Sequence, residues 1–200
     1  MSESHKCNLY IQINKPIKSY FRHPAGKYYL NDKIFNMLFP LLNNQKYLNK
    51  VEKFDNQKID INFDLLRDLP INLLFDNATY ANVITGVKAN LFEPFLEADD
   101  HREIKNKIII QRSYRYRNDL INYKFLNQYN DIFFVGTVEE FEDLKKEVKN
   151  LNFYDCKDFL DMASVVKSSR FVVANSSITF PIAEGLQVPR ILEASPVFPA

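Results

Sequence analysis

The sequence predicts an α/β protein whose second half forms a doubly wound, Rossmann-like domain with a parallel sheet. Two observations predict it. The composition, with 46% hydrophobic and 26% charged residues in 200, is that of a chain able to bury a core. From residue 106 onward, short apolar runs alternate with longer amphipathic stretches. Such an alternation requires crossover connections, so we expect parallel strands covered on both faces.

The first half is less regular, and we expect an incomplete N-terminal α/β domain over residues 1–103. Its boundary with the Rossmann-like domain, residues 104–200, falls near residues 98–106. Alternating patterns predict strands at 8–13 and 58–63, and helical spacing predicts a helix over 32–50 that Pro40 should kink or split. The pattern over 73–86 is ambiguous, and residues 90–100 are typical of a linker.

Five apolar runs in the second half are typical of buried strands, at 107–111, 131–135, 152–154, 170–174 and 190–192. Predicted helices cover 119–128, 158–167 and 177–186. Another begins at a capping box formed by Thr137 and Glu140. Its buried stripe should be Val138, Phe141, Leu144 and Val148.

Charge and cysteine usage exclude several classes of protein. The chain has 26 Lys and Arg against 25 Asp and Glu, a net charge of +1, which argues against a protein built to coat nucleic acid. Cys7 and Cys156 are too few for a disulfide framework, so we expect free thiols and a cytoplasmic location. Uncharged apolar runs stay well below the roughly 18–20 residues of a transmembrane helix, and the N-terminus does not resemble a secretory signal.

A basic segment follows the predicted strand 107–111 and is the first candidate site. Arg112, Ser113 and Arg115 stand where a buried parallel strand ends, and residues 106–118 contain no acidic residue. Guanidinium and hydroxyl groups suit a phosphate or diphosphate. Two alternatives remain open: a solvated basic loop paired with surface carboxylates, and an Arg–Tyr surface that stacks on single-stranded RNA.

A second candidate site follows the predicted strand 170–174. Asn175, Ser176 and Ser177 lead into a helix, whose first turn presents N–H groups and a positive dipole end to an anion. Ser177 could instead simply cap the helix. Glu184, about two turns further on, could accept hydrogen bonds from sugar hydroxyls or be solvated.

Ligands of open parallel sheets bind beyond the carboxyl ends of the strands. We therefore expect the Arg-rich and Ser-rich loops to lie side by side and to bind one diphosphate together. Loops at opposite edges of the sheet, or a pocket filled by the protein's own carboxylates, would overturn this expectation. We predict no metal site, because His5, His23 and His101 are scattered. Glycine-rich dinucleotide, P-loop and hydrolase-elbow motifs are absent from the sequence.

The order of motifs in residues 104–196 resembles the donor-binding half of GT-B glycosyltransferases, closest to the heptosyltransferase-like group (family 9). The runs that carry the resemblance are Phe133-Phe134-Val135-Gly136-Thr137, Asp158-Phe159-Leu160-Asp161-Met162-Ala163, Phe171-Val172-Val173-Ala174-Asn175-Ser176-Ser177, Ala183-Glu184-Gly185-Leu186 and Pro189-Arg190-Ile191-Leu192-Glu193.

The resemblance implies metal-independent transfer of a sugar from a nucleoside-diphosphate donor to a glycan or lipid-linked glycan. It implies no cofactor, no nucleic-acid partner and no transmembrane segment, and a peripheral place at the membrane stays open. Donor contacts would come from Arg112, Ser113, Arg115, Asn175, Ser176, Ser177 and Glu184, with Arg112 as the first choice for stabilising the leaving diphosphate. The catalytic base, a carboxylate of the first lobe, is unknown.

Two departures from the family concern the site. The family usually has Gly and His in the turn where this chain has residues 177–181. Retaining members often have two Glu separated by seven residues, whereas Glu184 and Glu193 are separated by eight. We also expect the first strand of the family's N-terminal domain, with its Gly-rich loop, to be missing. The alternative is a non-catalytic nucleotide- or sugar-phosphate-binding module, or a truncated, inactive glycosyltransferase.

Overall fold

The computed structural model describes residues 6–17, 26–68, 77–88 and 90–195. The strands are β1 (Cys7–Ile11), β2 (Leu48–Lys53), β3 (Ile108–Gln111), β4 (Ile132–Val135), β5 (Leu151–Tyr154), β6 (Phe171–Asn175) and β7 (Arg190–Glu193). The α-helices are α1 (Asp32–Asn43), α2 (Asn77–Thr85), α3 (Val138–Lys145), α4 (Phe159–Lys167) and α5 (Thr179–Gly185). Short 3-10 helices cover Phe63–Asp68, Tyr114–Tyr116 and Lys124–Gln128.

The second half is a five-stranded parallel sheet in the order β5-β4-β3-β6-β7. The chain first winds outward from β3 through β4 to β5. It then returns across the sheet to β6, on the other side of β3, and ends at β7. The predicted doubly wound, Rossmann-like fold is confirmed. Strand order reverses between β3 and β6, which makes their carboxyl ends the topological switch point.

Alternate residues of the strands fill two separate cores, one on each face of the sheet. Ile109 and Val172 face a core that they share with α4, α5 and α1. Ile110 and Phe134 face the other core, which contains α3 and the 3-10 helix at Lys124–Gln128. Burial on both faces explains why these strands are continuous apolar runs and do not alternate between apolar and polar residues.

Two predicted helix starts are confirmed in atomic detail. The Thr137 hydroxyl accepts a hydrogen bond from the Glu140 N–H, and the Glu140 carboxylate accepts one from the Thr137 N–H, so the capping box is complete. The Asp158 carboxylate caps α4 by accepting from the N–H groups of Leu160 and Asp161.

The first half departs from its predicted pattern in three places. Residues 48–53, predicted as the end of a helix, form β2, which pairs in parallel with β1. Pro40 neither splits nor ends α1, which continues to Asn43. Residues 58–62 lie outside any strand, so the alternating pattern there was misleading. Of the ambiguous span 73–86, residues 77–85 are helix α2, and 73–76 lie outside the described residues.

Three details of the second half also differ. Residues 119–128 contain only a 3-10 helix at 124–128, and Leu120, expected on a buried stripe, is 91% exposed. Val138 is exposed at the start of α3. Helix α5 begins at Thr179, and Ser177 does not cap it. Helical spacing over one or two turns does not distinguish a helix from an irregular connection, which explains the error over 119–128.

The described residues before the boundary form a β1-α1-β2 unit and helix α2. Helix α1 contributes Leu41 to the core that also contains α4. Gln45 fixes the linker: its amide donates to the Glu97 carbonyl and accepts from the Glu97 N–H. In the part of the chain that the structure describes, every helix is too short or too polar to cross a bilayer.

Candidate functional site

The two candidate loops lie side by side at the carboxyl edge of the sheet. Strands β3 and β6 pair directly, with Gln111 opposite Ala174. The segment 112–118, here the first loop, therefore emerges beside the segment 176–178, the second loop. The expected placement at one edge is confirmed, and we call this region the switch-point edge.

Two hydrogen bonds join the first loop to the last residue of β6, which leads directly into the second loop. The Ser113 N–H donates to Oδ1 of Asn175 over 3.2 Å, and Nδ2 of Asn175 donates to the Ser113 carbonyl over 2.7 Å. Asn175 is completely buried, so the Asn175 amide and Ser113 backbone satisfy each other. Both are candidate site residues, and this pairing gives them a role in fixing the distance between the loops.

Gln111, which the sequence analysis did not select, occupies the start of α5. Its Oε1 atom accepts a hydrogen bond from the Ser177 hydroxyl and another, 3.1 Å long, from the Thr179 N–H. The expected anion position at this helix terminus is thus filled by a side chain of the protein. A polar residue that ends an otherwise apolar buried strand was the signal that could have identified Gln111.

Arg112 is turned toward the last strand of the sheet. Its Nε atom lies 2.9 Å from Oε2 of Glu193, and its Nη2 atom lies 3.2 Å from Oε1 of the same carboxylate. Nη2 also donates to the carbonyls of Asn118 and Ile121. Arg112 is only 5% exposed, and its Nη1 atom lies 3.6 Å from Oε2 of Glu147, so it offers little surface to a phosphate from solvent. At Arg112, a carboxylate of the protein itself thus occupies the place expected for a phosphate.

Glu193 is the centre of a buried polar cluster. Besides Arg112, it accepts hydrogen bonds from the Asn118 N–H over 2.6 Å and from the Tyr123 hydroxyl over 2.7 Å. Burial, with the hydrogen bond to Glu193 as a second cause, raises the pKa of Tyr123 well above its ordinary value. The Arg112 guanidinium also lies over the Tyr123 ring, 4.5 Å from its centroid.

The other two arginines of the first loop keep donors unused. Arg117 pairs through Nη1 with Asp143 at 2.7 Å, which holds the pKa of that carboxyl below its ordinary value. Its Nε and Nη2 atoms are buried without a hydrogen-bond partner. Arg115 stacks on Tyr116 at 4.3 Å, and its Nε atom is likewise buried without a partner.

The second loop contributes one further unused group. The Ser176 hydroxyl is buried and has no partner. Among the residues that the structure describes, the buried side-chain nitrogen and oxygen atoms without a partner are those of Arg115, Arg117 and Ser176. All of them belong to the two loops of the switch-point edge, and all of them can donate.

Glu184 does not join these groups. Its carboxylate pairs with Arg190, with Nε of the arginine 2.6 Å from Oε2. Arg190 begins β7, so this pair lies toward the amino end of that strand, away from the switch-point edge. The spacing of about two turns from Ser177, which suggested a sugar contact, therefore places Glu184 too far along α5.

Glu140 connects helix α3 to the first loop. One oxygen of its carboxylate accepts from the Tyr114 N–H over 3.2 Å, while the other completes the capping box of α3. Gly136, which precedes that box, has a φ of 151°, and a Cβ there would lie 2.8 Å from the Phe134 ring. The first loop is thus held by α3 on one side and by β7 on the other.

Over residues 6–17, 26–68, 77–88 and 90–195, no group of three or more His, Cys, Asp and Glu side chains has the arrangement of a metal site. Neither a protein-family model nor a curated protein matches this chain.

Proposed function

We propose that the switch-point edge binds the diphosphate of a nucleoside-diphosphate sugar, and that the chain acts as the donor-binding part of a GT-B-like glycosyltransferase. The observation that carries the proposal is the collection of buried, unpaired donors from Arg115, Arg117 and Ser176 in two adjoining loops. The resemblance over residues 104–196 supplies the sugar-transfer half of the proposal.

Unpaired buried donors indicate a ligand rich in acceptor oxygens. Leaving a buried donor without a partner costs about 1–3 kcal/mol, more for a charged group, so native proteins contain few such groups. Three of the four unpaired atoms belong to guanidinium groups, whose charge favours an anion. A diphosphate provides both the charge and the number of oxygens.

The residues of the site divide into those that hold the loops and those that contact the ligand. Arg112, Ser113, Asn175, Ser177 and Gln111 are engaged with one another or with Glu193, and in this proposal they fix the loops. Arg115, Arg117 and Ser176 contact the phosphate oxygens. In sugar transfer, these donors stabilise the negative charge that builds on the leaving diphosphate, a task that requires no metal.

The test is calorimetry with UDP, GDP and ADP on the full chain, followed by assays of donor hydrolysis and of transfer. Arg115→Met is compared with Arg170→Met, which removes an exposed arginine at the amino end of β6. We expect Arg115→Met to weaken binding about tenfold or more, equal to about 1.4 kcal/mol, and Arg170→Met to leave it unchanged. Equal affinity of Arg115→Met and the unaltered protein would refute the phosphate assignment.

A non-catalytic binding module is the second candidate, and one observation favours it. Arg112, the residue expected to stabilise the leaving group, is held by Glu193. Binding of a diphosphate without hydrolysis of its sugar ester and without transfer to any glycan acceptor would support this candidate over the enzyme.

A further inference from the structure

We infer that Arg112 and Glu193 form a buried clasp that positions the first loop, so that Glu193 is a positioning residue for the diphosphate site and Arg112 is not a phosphate ligand. This inference rests on the proposed function. The residue that it adds to the site, Glu193, belongs to β7 and lies 81 positions after Arg112 in the chain.

The clasp spans the switch point. Arg112 follows β3 and Glu193 ends β7, and β6 lies between these two strands in the sheet. The salt bridge therefore passes over the carboxyl end of β6, where Asn175 leads into the second loop. Because the first loop is bonded on both sides of β6, its distance from that end of the sheet is fixed.

Arg112 and Glu193 form a buried, bidentate ion pair. Two guanidinium nitrogens face two carboxylate oxygens, and the side chains of Arg112 and Glu193 are 6% and 1% exposed. The same carboxylate accepts from the Asn118 N–H and the Tyr123 hydroxyl. A phosphate that displaced Glu193 would leave a buried carboxylate without its cation, which is strongly unfavourable.

The consequence for the site follows from what lies between the anchors. Arg115 and Arg117 stand between Arg112 and Asn118, the two positions of the first loop that bind Glu193. Glu193 thus holds both ends of the segment, while contacts of Tyr114 and Arg117 with α3 hold its middle. Preorganised donors bind an anion more tightly, because no loop has to be ordered on binding.

The experiment compares Glu193→Gln with two controls. Asp131→Asn makes the same carboxylate-to-amide change in the Lys107–Asp131 ion pair, which precedes β4 at the other edge of the sheet. Gly185→Ala perturbs the packing of α5 on Leu96 without touching either loop. All proteins are assayed at a temperature at which circular dichroism shows them folded. The first readout is the Kd of the diphosphate that binds the unaltered protein.

We expect Glu193→Gln to weaken diphosphate binding about tenfold or more, and both controls to leave the Kd unchanged. Arg112→Lys, which keeps the charge but loses the fork, should retain more affinity than Arg112→Met. An unchanged or tighter Kd in Glu193→Gln would overturn the inference, because a ligand role for Arg112 requires Glu193 to compete with the phosphate.

The second readout is independent of any ligand. Hydrogen exchange of the Asn118 amide, followed by NMR, should accelerate in Glu193→Met and not in Asp131→Asn, because that N–H donates to Glu193 and methionine has no oxygen to accept it. Unchanged exchange would overturn the clasp itself. If the unaltered protein binds no diphosphate while exchange accelerates as expected, the proposed function fails and the ordering of the loop by Glu193 stands.

Discussion

We predict that Arg112→Met lowers the free energy of unfolding of the protein even when no ligand is present. Arg112 and Glu193 are a buried pair, with side chains 6% and 1% exposed, and removing one partner of such a pair costs about 3–5 kcal/mol. Glu193 would keep two donors, the Asn118 N–H and the Tyr123 hydroxyl, so we expect the lower end, about 3 kcal/mol. For a chain of this size that lowers Tm by roughly 6–12 °C.

The assay is urea unfolding at pH 7, followed by far-ultraviolet circular dichroism, with the exposed Arg170→Met as the control. Adding Glu193→Met to Arg112→Met removes the stranded carboxylate and should restore at least about 1 kcal/mol of the loss. A cost below about 0.5 kcal/mol for Arg112→Met, which is typical of surface positions, would refute the view of Arg112 as a buried structural cation.

Three further predictions concern other parts of the molecule. Burial raises the pKa of the Cys156 thiol to about 12. At pH 8 a thiol reagent should therefore modify the exposed Cys7 quickly and Cys156 slowly. Equal rates of modification in the folded protein would contradict this. The hydrogen bond from Arg117 lowers the pKa of Asp143 in the folded protein. The ionised Asp143 therefore stabilises the fold above its unfolded pKa, about 3.9. This stabilisation is lost as the pH falls through the lower pKa of the folded state. The stability difference between the unaltered protein and Asp143→Asn, measured by urea unfolding, should therefore shrink below about pH 4, and a constant difference would exclude this linkage. Gly185→Ala places a Cβ 2.6 Å from Leu96 Cγ and should cost about 1–3 kcal/mol in the same unfolding assay. A cost below about 0.5 kcal/mol would contradict this.

The Rossmann-like half was predictable from sequence because its strands are buried on both faces. A run such as 108–110 is apolar at consecutive positions, as is expected of a parallel strand that is buried on both faces. The capping box at Thr137 and Glu140 was predictable because it depends on residues three apart. The N-terminal half offered no such signals. The pattern of β2, which carries charges on both sides of Val51, was not distinguishable from the end of a helix.

The position of the candidate site was predictable from the sequence, but the pairing of its side chains was not. Parallel strands end at one edge, so the positions of Arg112 and Ser176 followed from the topology alone. Which donors remain free depends on partners distant in sequence. The Glu193 carboxylate pairs with Arg112, and Oε1 of Gln111 accepts a hydrogen bond from the Ser177 hydroxyl. The local spacing of residues in the sequence indicates neither pairing. Arg115 and Arg117 look the same in sequence as Arg112 and differ only in what surrounds them.

The salt bridge between Arg112 and Glu193 also orders events during folding. The first loop is made early in synthesis, but its anchor arrives only when β7 has paired with β6. A growing chain can assemble β3, β4, β5 and β6 from nearer contacts, whereas closure of an 81-residue separation comes late. The Arg112–Glu193 salt bridge, and with it the final position of the first loop, therefore forms only as the sheet is completed.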